Sequence, residues 1–223
     1  MVSLKQWLLK NRRKNWKKLK RQVKTKSREM RIGLFGGTFD PIHTGHLIIA
    51  ETIRSGLCLD RIFFIPAGTP PHKVNSTVTD PHIRFEMVKI AVSNYPYFYV
   101  KDIEIKREGK SFTIDTINLF KNLPEHSDDE FVLILGCDSF IELDSWYKPD
   151  EMLDSVETVV AVRPGFDLTK ANNKYMKKVR VVRTPLIDIS SSRIRENIQK
   201  GESVNFWVPE RVKSFIEEKG LYR

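Results

Sequence analysis

The chain has 223 residues, 40% of them hydrophobic, enough for one sizeable core, and a formal charge of +10. Two cysteines far apart, Cys58 and Cys137, support neither a disulfide framework nor a zinc cluster. No apolar run approaches the roughly 20 residues that span a bilayer, and Trp7-Leu8-Leu9 is too brief for the apolar region of a signal peptide, so a soluble, cytoplasmic protein is expected.

The charge is concentrated at the start of the chain. Residues 1–30 hold twelve of the 38 lysines and arginines but only one acid, Glu29, which leaves 26 bases against 27 acids from Arg31 onward. Residues 1–30 therefore read as a basic N-terminal extension and 31–223 as one nearly neutral domain. Leu4, Trp7, Leu8, Trp16 and Leu19 would give the extension a ragged apolar stripe suited to an anionic surface. The plainer reading, a solvated segment, is preferred, because dense like charge opposes packing.

Beyond the extension, strand and helix signals alternate. A first strand, Ile32-Gly33-Leu34-Phe35, ends in Gly36-Gly37, and a helix follows from near Pro41, with Asp40 expected as its N-cap. Further strands are expected at 61–65, 97–100, 131–135, 156–162 and 179–182; their apolar runs suggest burial on both faces. Helical spacing marks 83–92, 113–123, 139–143, 149–153, 190–199 and 209–219. Residues 66–81, rich in Pro, Gly, Ser and Thr, are expected to form a long loop beside the site. This alternation predicts an α/β fold, a Rossmann-like doubly wound parallel sheet with helices on both faces.

The turn from Gly33 to His46 fits neither a dinucleotide fingerprint nor a Walker loop: its order is Gly33-x-x-Gly36-Gly37, and it contains no lysine. What remains is a Gly-Gly bend that lets backbone amides approach an anion, ahead of a helix N-terminus carrying partial positive charge. His43 and His46, three apart, can share a face and meet one ligand. A capping or surface role is one alternative for this pair. Metal ligation is another, although helix metal sites favour i, i+4 spacing and need a third ligand.

Gly36-Gly37-Thr38-Phe39-Asp40-Pro41-Ile42-His43-Thr44-Gly45-His46 resembles the first motif of the nucleotidyltransferases related to class I aminoacyl-tRNA synthetases. Later stretches, in order, narrow the resemblance to the bacterial nicotinate-nucleotide adenylyltransferases: Pro66 to Lys73, Ser111 to Thr116, Gly136-Cys137-Asp138-Ser139 with Trp146, Arg163-Pro164-Gly165, and Ile189 to Arg195. The likeness runs from about Arg31 to Arg223. Ser192 and Phe112 stand where the family often has Thr and Tyr, each keeping the hydroxyl or the ring.

The resemblance implies transfer of AMP from ATP, accompanied by Mg²⁺, to nicotinate mononucleotide. It implies catalytic roles for His43, His46, Lys73 and Arg195, and ATP contacts from Gly36, Gly37, Thr38, Phe39, Gly136, Asp138, Ser190, Ser191 and Ser192. Thr113 and Trp146 would hold nicotinate mononucleotide, Trp146 by stacking on the pyridine ring, with a core tryptophan as the alternative. No metal ligand set is expected on the chain itself. The domain is expected to need no nucleic acid, and a homo-oligomer is left open. Two other readings stay open: a sister adenylyltransferase acting on nicotinamide mononucleotide or phosphopantetheine, and a nucleic-acid or anionic-membrane binder working through the extension.

Overall fold

The computed structural model describes residues 29–70, 78–162, 171–185 and 187–223. Most of the basic extension lies outside them, as do Lys73 and the Arg163-Pro164-Gly165 motif. Strands β1 (Arg31–Gly37), β2 (Arg61–Pro66), β3 (Phe98–Val100), β4 (Glu130–Gly136), β5 (Glu157–Val162) and β6 (Arg180–Arg183) form one parallel sheet in the order β3-β2-β1-β4-β5-β6. The helices are α1 (Thr44–Gly56), α2 (Pro81–Val92), α3 (Ile103–Lys106), α4 (Thr113–Asn122), α5 (Cys137–Ile141), α6 (Pro149–Ser155), α7 (Asn173–Met176), α8 (Ser191–Gln199) and α9 (Glu210–Glu218).

The central strands are apolar along their length because helices cover both faces of the sheet. Successive residues point to opposite layers, so β2 sends Ile62 and Phe64 into one core and Phe63 and Ile65 into the other. The first core is closed by Ala50 and Ile53 of α1, Met87 and Val88 of α2, Ile194 of α8 and Val212 of α9. Ile117 and Phe120 of α4, Phe140 of α5 and Met152 of α6 close the second. This is the doubly wound architecture expected from the alternation of elements.

Three local expectations need correction. Tyr99 on β3 and Arg180, Val181 and Arg183 on β6 are exposed, because these strands are the rims of the sheet and, among the described residues, no helix covers both their faces. Asp40 does not cap the first helix, which begins only at Thr44 with His43 as its extended N-cap. The Asp40 carboxylate is already engaged, accepting from Tyr222 Oη at 2.6 Å and from the Thr79 amide at 3.2 Å. The helix expected at 139–143 is α5, two residues earlier, followed by a separate 3₁₀ turn at Leu143–Ser145.

Phe64 ties β2 to the bend after β1. It is fully buried, and its ring lies 5.6, 5.9 and 5.3 Å from those of Phe35, Phe39 and Phe98. Phe64→Ala is expected to destabilise the protein by ~3–5 kcal/mol, the usual cost of an aromatic-to-alanine cavity, read as a lowered midpoint of urea unfolding.

Candidate active site

The strand order reverses between β1 and β4, and open α/β sheets bind ligands in the crevice at that point, beyond the strands' carboxyl ends. Both strands end in glycine there. A Cβ added to Gly36 or Gly136 would meet nothing within 4 Å, so these backbones border open space. Two cavities flank the bend, of about 1020 and 850 Å³, and both take Gly36, Gly37, Thr38 and Ser139 as wall. Both open to solvent, and their walls mix backbone, hydroxyl and aromatic groups.

The larger cavity gathers Gly36, Gly37, Thr38, Phe39, His43, His46, Gly136, Asp138, Ser190 and Ser191, residues scattered over the sequence. The N-termini of α1 and α8 meet there, which favours an anion. The two imidazoles stack at a centroid distance of 3.7 Å. His46 Nδ1 accepts from the His43 backbone amide at 3.2 Å, so the proton of a neutral His46 ring sits on Nε2, a donor. Phe39 is buried against His46 with rings 5.0 Å apart; its left-handed backbone, φ 49°, turns the chain sharply after the strand.

Ser190 caps α8, its hydroxyl accepting from the Arg193 amide at 3.3 Å. The Ser191 hydroxyl donates to the Pro41 carbonyl at 2.9 Å and fastens α8 to the bend. Ser192 and Arg195 do not line the cavity. Arg195 donates to the Asp40 carbonyl at 2.8 Å and to Ser192 Oγ at 3.4 Å, bridging the two segments from behind. Lys73 lies outside the described residues.

The smaller cavity brings together Thr113 and Trp146. Trp146 is half-buried and packs on the second core, so it serves packing and the cavity wall together. Phe112 and Tyr147 add two further rings, 4.6 Å apart, which the sequence reading did not place in the site. Glu104 was also missed. It lines this cavity while buried, and its Oε1 accepts from Thr116 Oγ1 at 2.7 Å. Ser111 bonds the same carboxyl, and its hydroxyl oxygen accepts from the amides of Gly68 and Thr69 at 3.0 and 3.3 Å.

Two more residues, Gly45 of the first motif and Arg84, were given no role from the sequence. Gly45 permits the close approach of His43, since a Cβ there would lie 3.0 Å from its Nδ1 and 3.1 Å from its Cε1. Arg84 is almost wholly buried in α2. Its signal was present: Arg84, Met87, Val88 and Ala91 fall on one helical stripe, which puts a charge on an otherwise apolar face.

Among the described residues, no group of three or more His, Cys, Asp or Glu could hold a metal ion, and no helix is long and apolar enough to cross a membrane. Asp138 is the only carboxylate among the described residues of the larger cavity.

A family model described as cytidylyltransferase-like matches residues 34–197. A Geobacillus thermodenitrificans protein named "Probable nicotinate-nucleotide adenylyltransferase" is 44% identical over 192 residues, 86% of either chain. A Clostridium tetani protein of the same name is 40% identical over 197 residues, 85% of this chain and 98% of its own. The solved structure of Plasmodium falciparum nicotinic acid mononucleotide adenylyltransferase complexed with NaAD superposes with a TM-score of 0.71 at 20% identity, covering 87% of this chain and 98% of that one. That last likeness establishes the fold.

Burial pushes the Glu104 carboxyl above its usual range, against the hydrogen bond from Thr116 and the charge of Arg107. The folded protein therefore holds this proton more tightly than the unfolded chain. The resulting stability is complete below about pH 4.5, the ordinary value, and is lost as pH rises through the raised one. Glu104→Gln cannot titrate, so it should gain stability relative to the wild type as pH rises from that point. Urea midpoints over a pH series measure this, and a difference that does not vary with pH would contradict it.

Proposed function

This chain belongs to the nicotinate-nucleotide adenylyltransferases of the cytidylyltransferase-like family, and on that premise we propose that its two cavities hold ATP and nicotinate mononucleotide for direct adenylyl transfer. The observation that carries this reading is the shared wall: Gly36, Gly37 and Thr38 border both cavities, so two ligands seated there meet at the bend after β1. In the reaction, an oxygen of the mononucleotide's phosphate attacks the α-phosphorus of ATP. The bond from that phosphorus to the bridging oxygen breaks, and pyrophosphate leaves. Such a displacement needs little covalent help; it needs alignment and neutralisation of charge on the phosphoryl oxygens.

The residues divide along those needs. His46, with Nε2 as donor, and His43 beside it face the phosphates, backed by the N-termini of α1 and α8. Backbone from Gly36 to Phe39 and from Gly136 comes close to the nucleotide, and Ser190 and Ser191 complete the anion cradle. Asp138 faces a ribose hydroxyl or the water shell of Mg²⁺. Mg²⁺ would arrive with ATP and offset phosphate charge; among the described residues a single carboxylate lines this cavity, which fits an ion held mainly by its nucleotide. On the acceptor side, Trp146 stacks on the pyridine ring and Thr113 lines the pocket beside it.

Purified protein given ATP, Mg²⁺ and nicotinate mononucleotide should yield pyrophosphate and nicotinate adenine dinucleotide. Nicotinamide mononucleotide and phosphopantetheine, competing in the same assay, are expected to be the poorer acceptors; absence of product with all three would refute the reading. His46→Ala is expected to lower kcat by more than ~10²-fold in folded protein, the scale of losing one preorganised donor; Arg195→Ala is expected to lower it by a similar factor for a different reason, since it removes the bridge from α8 to the Asp40 carbonyl and misplaces the anion cradle. Trp146→Ala should chiefly raise the KM of the acceptor and leave that of ATP in place, and an unchanged acceptor KM would leave Trp146 a packing role only.

A further inference from the structure

Behind the bend, on the side away from both cavities, lies a cluster of polar groups that no step above uses. Arg84 Nη1 donates to the Thr38 carbonyl at 2.6 Å, Nη2 to the carbonyls of Ala67 and Gly68 at 2.6 and 3.2 Å, and Nε to that of Thr79 at 2.8 Å. Asp40 is buried next to it and binds the Thr79 amide, while Tyr222 Oη, 182 positions further along the chain, donates to its other oxygen. Burial and the Asp40 carboxylate both push the Tyr222 phenol far above its usual value, so it stays a proton donor. Neither Arg84, Asp40 nor Tyr222 is among the described residues that line these two cavities, yet Thr38 borders both and Ala67 borders the acceptor side.

We propose that Arg84, Asp40 and Tyr222 form a positioning unit that sets the distance between the phosphate bend and the acceptor wall, and so the alignment of the two substrates. The planar guanidinium is suited to this, because its donors diverge in fixed directions toward three separate stretches of chain. Tyr222 locks the unit from the far end of the sequence. With its bond to Asp40 in place, the carboxylate cannot turn away from Thr79, and the first residue of the Asp40-Pro41-Ile42-His43 run is fixed. The kinetic side of this proposal rests on the adenylyl-transfer reading; its structural side does not.

Two variants test it, each by kinetics and by amide hydrogen exchange. Tyr222→Phe keeps the ring and removes only the hydroxyl. It is expected to fold, to lose about tenfold in kcat with both KM values changed far less, and to exchange the amides of Thr38, Phe39 and Thr79 faster than the wild type. Arg84→Lys keeps the charge but not the fork, and in folded protein should lose ~10²-fold in kcat, the cost of a misplacement of about 1 Å. If Arg84→Lys does not fold, Tyr222→Phe alone decides. A folded Tyr222→Phe with wild-type kcat and unchanged exchange in the bend would overturn the proposal, as would a lowered melting temperature with kcat intact. Should the wild type itself turn over no acceptor, the functional reading falls, and the exchange measurement still decides this one.

Discussion

Carbonyl oxygens from three stretches of chain converge behind the first strand, and one buried guanidinium satisfies them. Thr38, Ala67 with Gly68, and Thr79 all accept from Arg84. Buried carbonyls left unpaired cost ~1–3 kcal/mol each, and a buried charge without polar partners costs more still. Each side of the arrangement therefore needs the other. The arginine is stable there because the loops present oxygens to it, and the loops hold their conformation because the arginine is there. Burial pushes the guanidinium below its usual value and the Asp40 carboxylate nearby pulls it back, which keeps it charged.

The rest of the site is built outward from that fixed bend. Phe39 packs beneath it on Phe35, Phe64 and His46, so the hydrophobic core sets the attitude of an imidazole. Ser191 and Arg195 bring α8 to the Pro41 and Asp40 carbonyls, from a segment about 150 residues away in sequence. The residues of the Ser190-Ser191-Ser192 run consequently do different things. Ser190 caps, Ser191 fastens, and Ser192 receives a long hydrogen bond from Arg195 on the exposed side. On the acceptor side, Ser111 performs a similar task, accepting from the amides of the β2 loop while bonding to Glu104.

Much of the fold was legible because it rests on local signals. Apolar runs such as Phe131 to Leu135 marked the inner strands, and the bend at Gly36-Gly37 marked where the sheet opens. The rim strands misled, because Val181-Val182 reads like an inner strand until its place in the sheet is known. Within the site, the backbone-donating bend and the histidine pair could be seen in one window of sequence. Asp40 could not be placed that way: it precedes a proline and looks like a helix cap, while its true partners are Thr79 and Tyr222. Glu104 and Tyr147 were missed because each becomes a cavity residue only once α3, α4 and the stretch after α5 are brought together. Lone charges and rings carry no period, so only packing reveals what they face.

The outer rim of β6 has one more consequence. Its backbone faces outward with no strand beyond it among the described residues, and Val181 is exposed at its middle, the kind of border onto which another chain's strand can be added. Arg180 and Arg183 stand at its two ends. A second molecule offering the same border would bring like charges together, and that repulsion opposes pairing of two copies edge to edge.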